Sequence, residues 1–427
     1  MERLRIEGGQ PLIGSIQVHG AKNAALPIIA ATTLVSGVHV ISNVPQLKDI
    51  EVMLQILQVL GCSVSHVNDV VTIDTSTINS TQIPELLMRQ MRSSIFLLGP
   101  LLARFGQVET FQPGGCAIGE RKVDLHFSGL QALGAEIIAM PASIRCVASQ
   151  LKGTSIHLHF PSVGATENMM MAAVMAEGTT YIHNAAKEPE ITDLQHFLNA
   201  MGAQVTGAGT ETIAIRGVSE LHATQYRVIP DRIVAGTLLC AAVATKGDIV
   251  LSDVRVEHLT SVTNILCQMG AKFEYSTDMI RVMMEQRPTA MDNISTGPYP
   301  AFPTDLQAQI MVLLSLSEGF SMLKETIFER RFQHVEQLRM LGANIRTEDG
   351  LAYIHGVRRL HGATVQATDL RAGAALIIAG LAAKGTTWIE QLKHIDRGYD
   401  RVEAMFTQLG ATIARDRRDH LIEQIVI

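Results

Sequence analysis

Aromatic side chains are scarce in this chain of 427 residues: they make up 4% of it, with a single Trp. A core without large rings has to be filled by Ala, Leu, Ile, Val and Met, which suits closely packed helices. Cysteine is sparse as well. Cys62, Cys116, Cys146, Cys240 and Cys267 are scattered, odd in number and without a CxxC pair. That argues against a disulfide framework and a thiolate zinc site. A surplus of positive charge is missing too. The net charge is −6, which disfavours a nucleic-acid or anionic-membrane surface. The longest apolar run, AGAALIIAGLAA at Ala372–Ala383, falls well short of the roughly 20 residues that span a bilayer. The opening MERLRIEGGQ has no apolar h-region of a secretory signal. The expectation is a soluble, cytoplasmic protein with neither nucleic acid nor membrane as a partner.

What is present is a repeat. The motif apolar-x-x-apolar-Gly-small recurs as LQVLGC, LQALGA, LNAMGA, LCQMGA, LRMLGA and FTQLGA. Its glycines, 61, 134, 202, 270, 342 and 410, lie 68 to 73 residues apart. Each motif reads as the end of an amphipathic helix with Gly just past it, followed by a strand. Upstream of each, a β-rich segment such as SGVHVI or KGTTWI follows a nearly all-apolar helix, such as AALPIIAATTLV or LRAGAALIIAGLAA. A helix apolar all round is buried all round. The pattern predicts an α/β protein of two domains, each with three βαβαββ units around buried helices; the alternative is a single repetitive α/β domain.

The entrances to the buried helices are polar: HGAKNAAL, MRQMRSSI, PSVGATEN, VIPDRIVA, FPTDLQAQ and QATDLRAG. Asp305 and Asp369, each after Thr, are N-cap candidates. Capping does not call for Lys22, Arg92, Arg232 or Arg371, since the macrodipole disfavours cations there. Placed at helix N-termini, they point to an anionic ligand that cation and dipole bind together. If the N-termini of both domains face one another, the cleft between them takes a polyanion. One further segment stands out, QPGGCAIGERKVDLH at 112–126, with a thiol on a Gly-rich loop beside two cations. Reactive thiols sit in such electropositive surroundings, whereas the other four cysteines read as small buried hydrophobes. GAGTET at 207–212 is an incomplete glycine pattern and reads as a loop.

HGAKNAALP, QPGGCAIGER, AFPTDLQAQ, TDLRAGAALIIAG and HIDRGYDRVE resemble the UDP-N-acetylglucosamine 1-carboxyvinyltransferases, the UDP-GlcNAc enolpyruvyl transferases. The resemblance runs over essentially the whole chain. It implies two inside-out α/β domains, one over residues 22–229 and one over 1–21 with 230–427, and an active site in the cleft between them. It implies transfer of the enolpyruvyl group of phosphoenolpyruvate to the 3′-hydroxyl of UDP-GlcNAc, with release of phosphate, as the committed step of peptidoglycan synthesis. It implies no cofactor and no metal.

Residue by residue, Cys116 matches the family's proton donor, the thiol that forms an adduct with phosphoenolpyruvate and is alkylated by fosfomycin. Lys22 and Arg397, with Arg121, match its ligands for the phosphate and carboxylate of phosphoenolpyruvate; Asn23 accompanies Lys22. Asp305 matches the group that contacts the sugar 3′-hydroxyl and takes its proton. Arg92, Arg121, Lys122, Val123, Asp124, Leu125, Ser162, Val163, Gly164 and Ile327 match positions around the uridine, diphosphate and sugar. Asp369 and Arg371 match residues around the cleft. His126, His334 and His394 are assigned structural or substrate-orienting roles. The chain departs from the family pattern at Glu120, at Lys122 in place of Pro, and at Phe160 in place of Lys. Phe160 puts one diphosphate contact in doubt. Two rival readings are an enolpyruvyl transferase acting on shikimate 3-phosphate, which lacks the PGGC loop, and a non-catalytic UDP-sugar-binding paralogue, which has no need of an acid, a base and two anion clamps.

Overall fold

The computed structural model describes residues 2–111 and 123–417. Two kinds of helix alternate along the chain. The buried kind comprises α1 (Lys22–Ala31), α3 (Leu98–Phe105), α5 (Val163–Ala173), α7 (Arg232–Thr245), α9 (Gln307–Leu316) and α11 (Leu370–Ala382). The amphipathic kind comprises α2 (Lys48–Val59), α4 (Asp124–Ala132), α6 (Pro189–Ala200), α8 (Thr260–Gln268), α10 (Val335–Met340) and α12 (Val402–Gln408). In α11 every residue from Arg371 to Leu381 is buried. Each Leu or Ile in it removes enough apolar surface from water to contribute roughly 1.5–3 kcal/mol. The predicted helix at 93–103 is broken: a 3-10 turn, Arg92–Leu97, leads into α3.

All six glycines of the repeat have positive φ, from +106° at Gly61 to +85° at Gly410. A side chain would be strained there, and the conformation lets the chain close a Schellman motif. Cys62 N donates to Leu57 O at 2.9 Å and Gly61 N to Gln58 O at 3.0 Å; the same two bonds recur at Gly134, Gly202, Gly270, Gly342 and Gly410. Each motif turns the chain out of an amphipathic helix and into a strand.

The strands form six sheets, five of four strands and one of three among the described residues. In each four-stranded sheet one pairing is parallel and the others antiparallel. Gln225–Arg227, for example, runs parallel to Val38–Ser42, which pairs antiparallel with Val70–Asp74. In the three-stranded sheet a parallel bridge, Gln82 to Glu109, stands where the others have a strand.

The first strands join late ones. Glu2–Gly8 lies between Gly385–Glu390 and Thr412–Arg417, with Leu4 opposite Ile389 and Ile6 opposite Ile413. Ile13–Gln17 runs parallel to Asp248–Ser252. The chain then crosses beside its own second crossing: Asp231 N donates to His19 O at 2.9 Å and Ala21 N to Ile229 O at 2.7 Å.

Two separate cores result. One holds buried side chains from Ala21 to Val228; the other takes Leu4 to Val18 together with Ile233 to Ile413. In the second core α7, α9 and α11 pack on one another. Close helix approach needs glycine at particular points. A Cβ on Gly99 of α3 would lie 2.4 Å from the Asn168 carbonyl of α5. Cys62, Cys146 and Cys240 are buried as expected, but Cys267 is exposed on α8. It sits on the outer face of an amphipathic helix, where periodicity alone gave no reason to bury it. Among the described residues no helix is long and apolar enough to cross a membrane.

Candidate active site

The cations at the helix entrances meet carboxylates of the protein itself. Lys22 is the first residue of α1, and its Nζ donates to Asp49 Oδ2 at 3.0 Å. Asp49 lies in the first turn of α2. Arg397, from the other half of the chain, donates to the same carboxylate, Nε to Oδ1 at 2.8 Å and Nη2 to Oδ2 at 3.4 Å. One anion thus holds two cations from different halves. Burial pushes the Asp49 carboxyl up, but Lys22 and Arg397 outweigh it, and the group titrates below its ordinary range.

A second cluster forms around Asp305. Arg331 Nη2 donates to Oδ1 at 2.8 Å and Arg371 Nη2 to Oδ2 at 2.6 Å. Burial lowers the Arg371 guanidinium, but Asp305 more than offsets this and holds it above its ordinary range. Asp305 was expected to cap a helix. It does not: it sits inside a 3-10 turn, Thr304–Leu306, and α9 begins after Leu306 with no side-chain cap. Its carboxylate accepts from the two arginines instead. Asp369 does cap, accepting from Arg371 N at 2.9 Å and Ala372 N at 3.1 Å. Asp231 caps α7 and also accepts from Lys22 N at 3.2 Å. The crossing point of the chain therefore ties the first cluster to the second half.

Glu325 organises the loop beside Asp305. Its carboxylate accepts from Thr304 Oγ1 at 2.9 and 3.0 Å and from Ile327 N at 2.8 Å. Ile327 is thereby fixed next to the Asp305 turn. On the other side, Ser162 caps α5 with its Oγ toward Ala165 N at 3.4 Å, so Val163 and Gly164 open that helix. Val123 precedes α4, Asp124 is exposed in its first turn, and Leu125 packs partly against the first core. Asn23 and Arg92 are half-buried at their helix starts. Cys116, Arg121 and Lys122 lie outside the described residues.

Several polar residues here were not singled out from sequence. Asp49, Arg331 and Glu325 complete the clusters above. Glu190, in the first turn of α6, takes Arg232 of α7: Arg232 Nε lies 3.0 Å from Oε1, with Nη2 3.2 Å from Oε2. Glu190 and Asp49 occupy the second position of two amphipathic helices, α6 and α2, and each pairs with a cation at the first position of a buried helix. That equivalence was present in the repeat. Neighbouring Glu167 of α5 is fully buried, and neither carboxylate oxygen has a hydrogen-bond partner among the described residues. Burial, then Glu190 and Glu188, raise its carboxyl well above the ordinary range.

Two halves of three units, each with buried helices inside and sheets outside, and two anion clamps at their junction define the enolpyruvyl-transferase architecture. The chain belongs to the EPSP synthase (3-phosphoshikimate 1-carboxyvinyltransferase) family, whose model matches residues 6–406. It is 51% identical over 415 residues to UDP-N-acetylglucosamine 1-carboxyvinyltransferase 2 of Caldanaerobacter subterraneus, covering 97% of this chain and 100% of that one. It is 48% identical over 416 residues to UDP-N-acetylglucosamine 1-carboxyvinyltransferase of Trichlorobacter lovleyi, covering 97% and 99%. Among solved structures, the enolpyruvyl transferase NikO from Streptomyces tendae shares the fold, with TM-score 0.88, 24% identity and coverage of 97% and 98%. EPSP synthase from Acinetobacter baumannii does so with TM-score 0.75, 20% identity and coverage of 98% and 100%.

Proposed function

We infer that the chain transfers the enolpyruvyl group of phosphoenolpyruvate to the 3′-hydroxyl of UDP-GlcNAc, in the cytoplasm, as the committed step of peptidoglycan and hence cell-wall synthesis. The observation that carries this is the convergence of Lys22 and Arg397, from opposite halves, on one carboxylate. A site built to hold a carboxylate between a point charge and a planar guanidinium is suited to an anionic substrate such as phosphoenolpyruvate. The full-length likeness to proteins bearing that activity's name supports the same reading. We take 22–229 as one domain and 1–21 with 230–427 as the other.

In the reaction, the hydroxyl oxygen bonds to C2 of phosphoenolpyruvate while its proton passes to Asp305. The methylene carbon takes a proton from the Cys116 thiol and becomes a methyl group. The methyl group then gives up a proton as the C2–O bond to phosphate breaks, leaving an enol ether and inorganic phosphate. Lys22, Arg121 and Arg397 hold the phosphate and carboxylate and stabilise the charge that leaves. Asn23 accompanies Lys22, and Arg92, Arg121, Lys122, Val123, Asp124, Leu125, Ser162, Val163, Gly164 and Ile327 hold the nucleotide sugar. Asp369 fixes the start of α11, and Arg371 from that helix positions Asp305.

The test is phosphate release from phosphoenolpyruvate with UDP-GlcNAc, with shikimate 3-phosphate and with neither. Release only with UDP-GlcNAc is expected; release with shikimate 3-phosphate alone, or with no acceptor at all, would contradict the reading. Cys116→Ala should then lose activity by about 10²-fold or more, the usual scale for a general acid. Cys116→Asp should keep a substantial part, with its optimum at lower pH, because a carboxyl near 3.9 must be protonated to serve where a thiol near 8.5 already is. The Asp variant should also resist inactivation by fosfomycin, since a carboxylate is a poorer nucleophile than a thiolate. Unchanged turnover by Cys116→Ala would remove the thiol from the mechanism.

A further inference from the structure

His126 stands in the first turn of α4, directly after Val123–Leu125, and only 5% of it is exposed. Its Nδ1 lies 2.8 Å from Asn168 Nδ2. The orientation of that amide follows from its other bonds. Asn168 Oδ1 accepts from Gly99 N at 2.8 Å, and Nδ2 donates to Ile95 O at 2.8 Å. The second hydrogen on Nδ2 must go to His126, so Nδ1 is the acceptor and the ring proton resides on Nε2. A proton on Nδ1 would face an N–H. Burial, reinforced by the charge of Arg92, likewise holds the imidazole neutral, with its titration pushed down to about 3.

The other edge of the ring meets the entrance of α5. A Cβ on Gly164 would lie 3.2 Å from His126 Cε1 and 3.5 Å from Nε2. Glycine at 164 is what lets the imidazole approach this helix start. The amides of Val163 and Gly164 there precede the first intrahelical hydrogen bond. Nε2 forms no hydrogen bond with the described residues, yet it is not among the buried polar atoms closed off from solvent. A nearly buried N–H donor thus lies at a helix N-terminus without an acceptor among the described residues. Two residues before the cap is the exposed Phe160, which brings no charge.

We propose that His126 is a further substrate-binding residue, a neutral, tautomer-locked Nε2–H donor that joins Ser162, Val163 and Gly164 in holding the diphosphate of the nucleotide sugar. The proposal rests on the enolpyruvyl-transfer reading and adds a ligand to it. Asn168 is the positioning residue: it fixes the tautomer and the ring plane from behind. A hydrogen bond to a charged oxygen is stronger than one between neutral groups, so its loss is measurable.

The experiment uses the full chain and three forms: the parent, His126→Phe and His126→Gln. The Phe variant keeps the ring volume and leaves Asn168 bonded to Ile95. The Gln variant puts an amide N–H near the place of Nε2. Calorimetry with UDP-GlcNAc and with uridine, together with steady-state kinetics, should show a Kd and KM for UDP-GlcNAc raised about tenfold or more in His126→Phe. The Kd for uridine, kcat and the KM for phosphoenolpyruvate should stay within about twofold, and His126→Gln should recover most of the loss. In the parent, ¹⁵N spectra of the histidines should show one ring protonated on Nε2 that shifts with UDP-GlcNAc but not with uridine; this readout decides the matter even if a variant fails to fold. Undiminished UDP-GlcNAc binding by His126→Phe, an equal loss for uridine, or a proton on Nδ1 would overturn the proposal. If the parent itself bound no UDP-GlcNAc, the enolpyruvyl-transfer reading would fail first, and this one with it.

Discussion

Asp49 and Asp305 each sit between two cations, and they differ in what the cations belong to. Asp49 holds Lys22 from its own half and Arg397 from the other, and its side chain is 5% exposed. Asp305 holds Arg331 and Arg371, both from its own half, and its side chain is 26% exposed. The same triplet therefore does two jobs. At Asp49 it is a link between halves, and removing the carboxylate would take from Lys22 and Arg397 the partner they share. At Asp305 it fixes the direction of a carboxylate that water can still reach. Under the proposed reaction the two differ in their work: Asp49 links the halves through cations assigned to the substrate, and Asp305 is the proposed base.

The sharpest way to break that contrast is to neutralise each carboxylate. Asp305→Asn keeps the shape but cannot take a proton. We expect kcat to fall by about 10²–10⁴, the usual scale for a general base, at pH and temperature where the variant is still folded. Equal turnover by this variant and the parent would end the assignment of Asp305 as base.

Asp49→Asn should do the reverse. Its main effect should be on stability, about 3 kcal/mol at neutral pH, the scale for breaking a buried pair. The sign with pH follows from the lowered carboxyl. A group with a folded-state value below its ordinary 3.8 stabilises the fold above that value and loses the contribution as pH falls through the folded one. The gap between parent and Asp49→Asn in denaturant melts should thus be full at pH 7 and shrink below about pH 4. A pH-independent gap would show that the charge is not what holds the site together.

Much of the architecture was legible in the sequence, because it repeats. Six helix ends with the same Gly at the same place announce six units, and six all-apolar helices announce what lies inside them. The break at Arg92–Leu97 was missed although a legible signal, Gly99-Pro100, interrupts the apolar run there. At the site, Lys22 and Arg371 stood out as cations where capping rules do not ask for them, Asp305 as an N-cap candidate, and Arg397 through the family resemblance. Asp49 did not. In LKDIE it reads as an ordinary acid in a helix first turn, and its partners lie 27 and 348 residues away. Arg331 hid in the same way within the charged run ERRFQH. Such pairings depend on which helix starts face each other, and no local pattern encodes that.

Glu167 sharpens the comparison from the opposite side. Unlike Asp49 it has no cation and no hydrogen-bond partner among the described residues, and burial raises its carboxyl well above the ordinary range. A carboxyl raised above its ordinary 4.5 costs stability as pH rises from that value, because the unfolded chain can release the proton and the folded one cannot. Glu167→Gln mimics the protonated form. Its Tm should match the parent near pH 4.5 and exceed it by a few degrees at pH 8. A lower Tm for the variant at pH 8 would mean that the buried carboxyl is ionised and paired in solution.

The account stands on addition followed by elimination at Asp305 and Cys116. The direct measurement is the mass spectrum of the product formed from phosphoenolpyruvate and UDP-GlcNAc in heavy water. Addition delivers a solvent-derived proton to the methylene carbon and makes a methyl group; elimination removes one of its three hydrogens. Deuterium should therefore appear in the vinyl group of part of the product. A product free of solvent deuterium would mean direct displacement of phosphate at C2, with no acid at the methylene carbon.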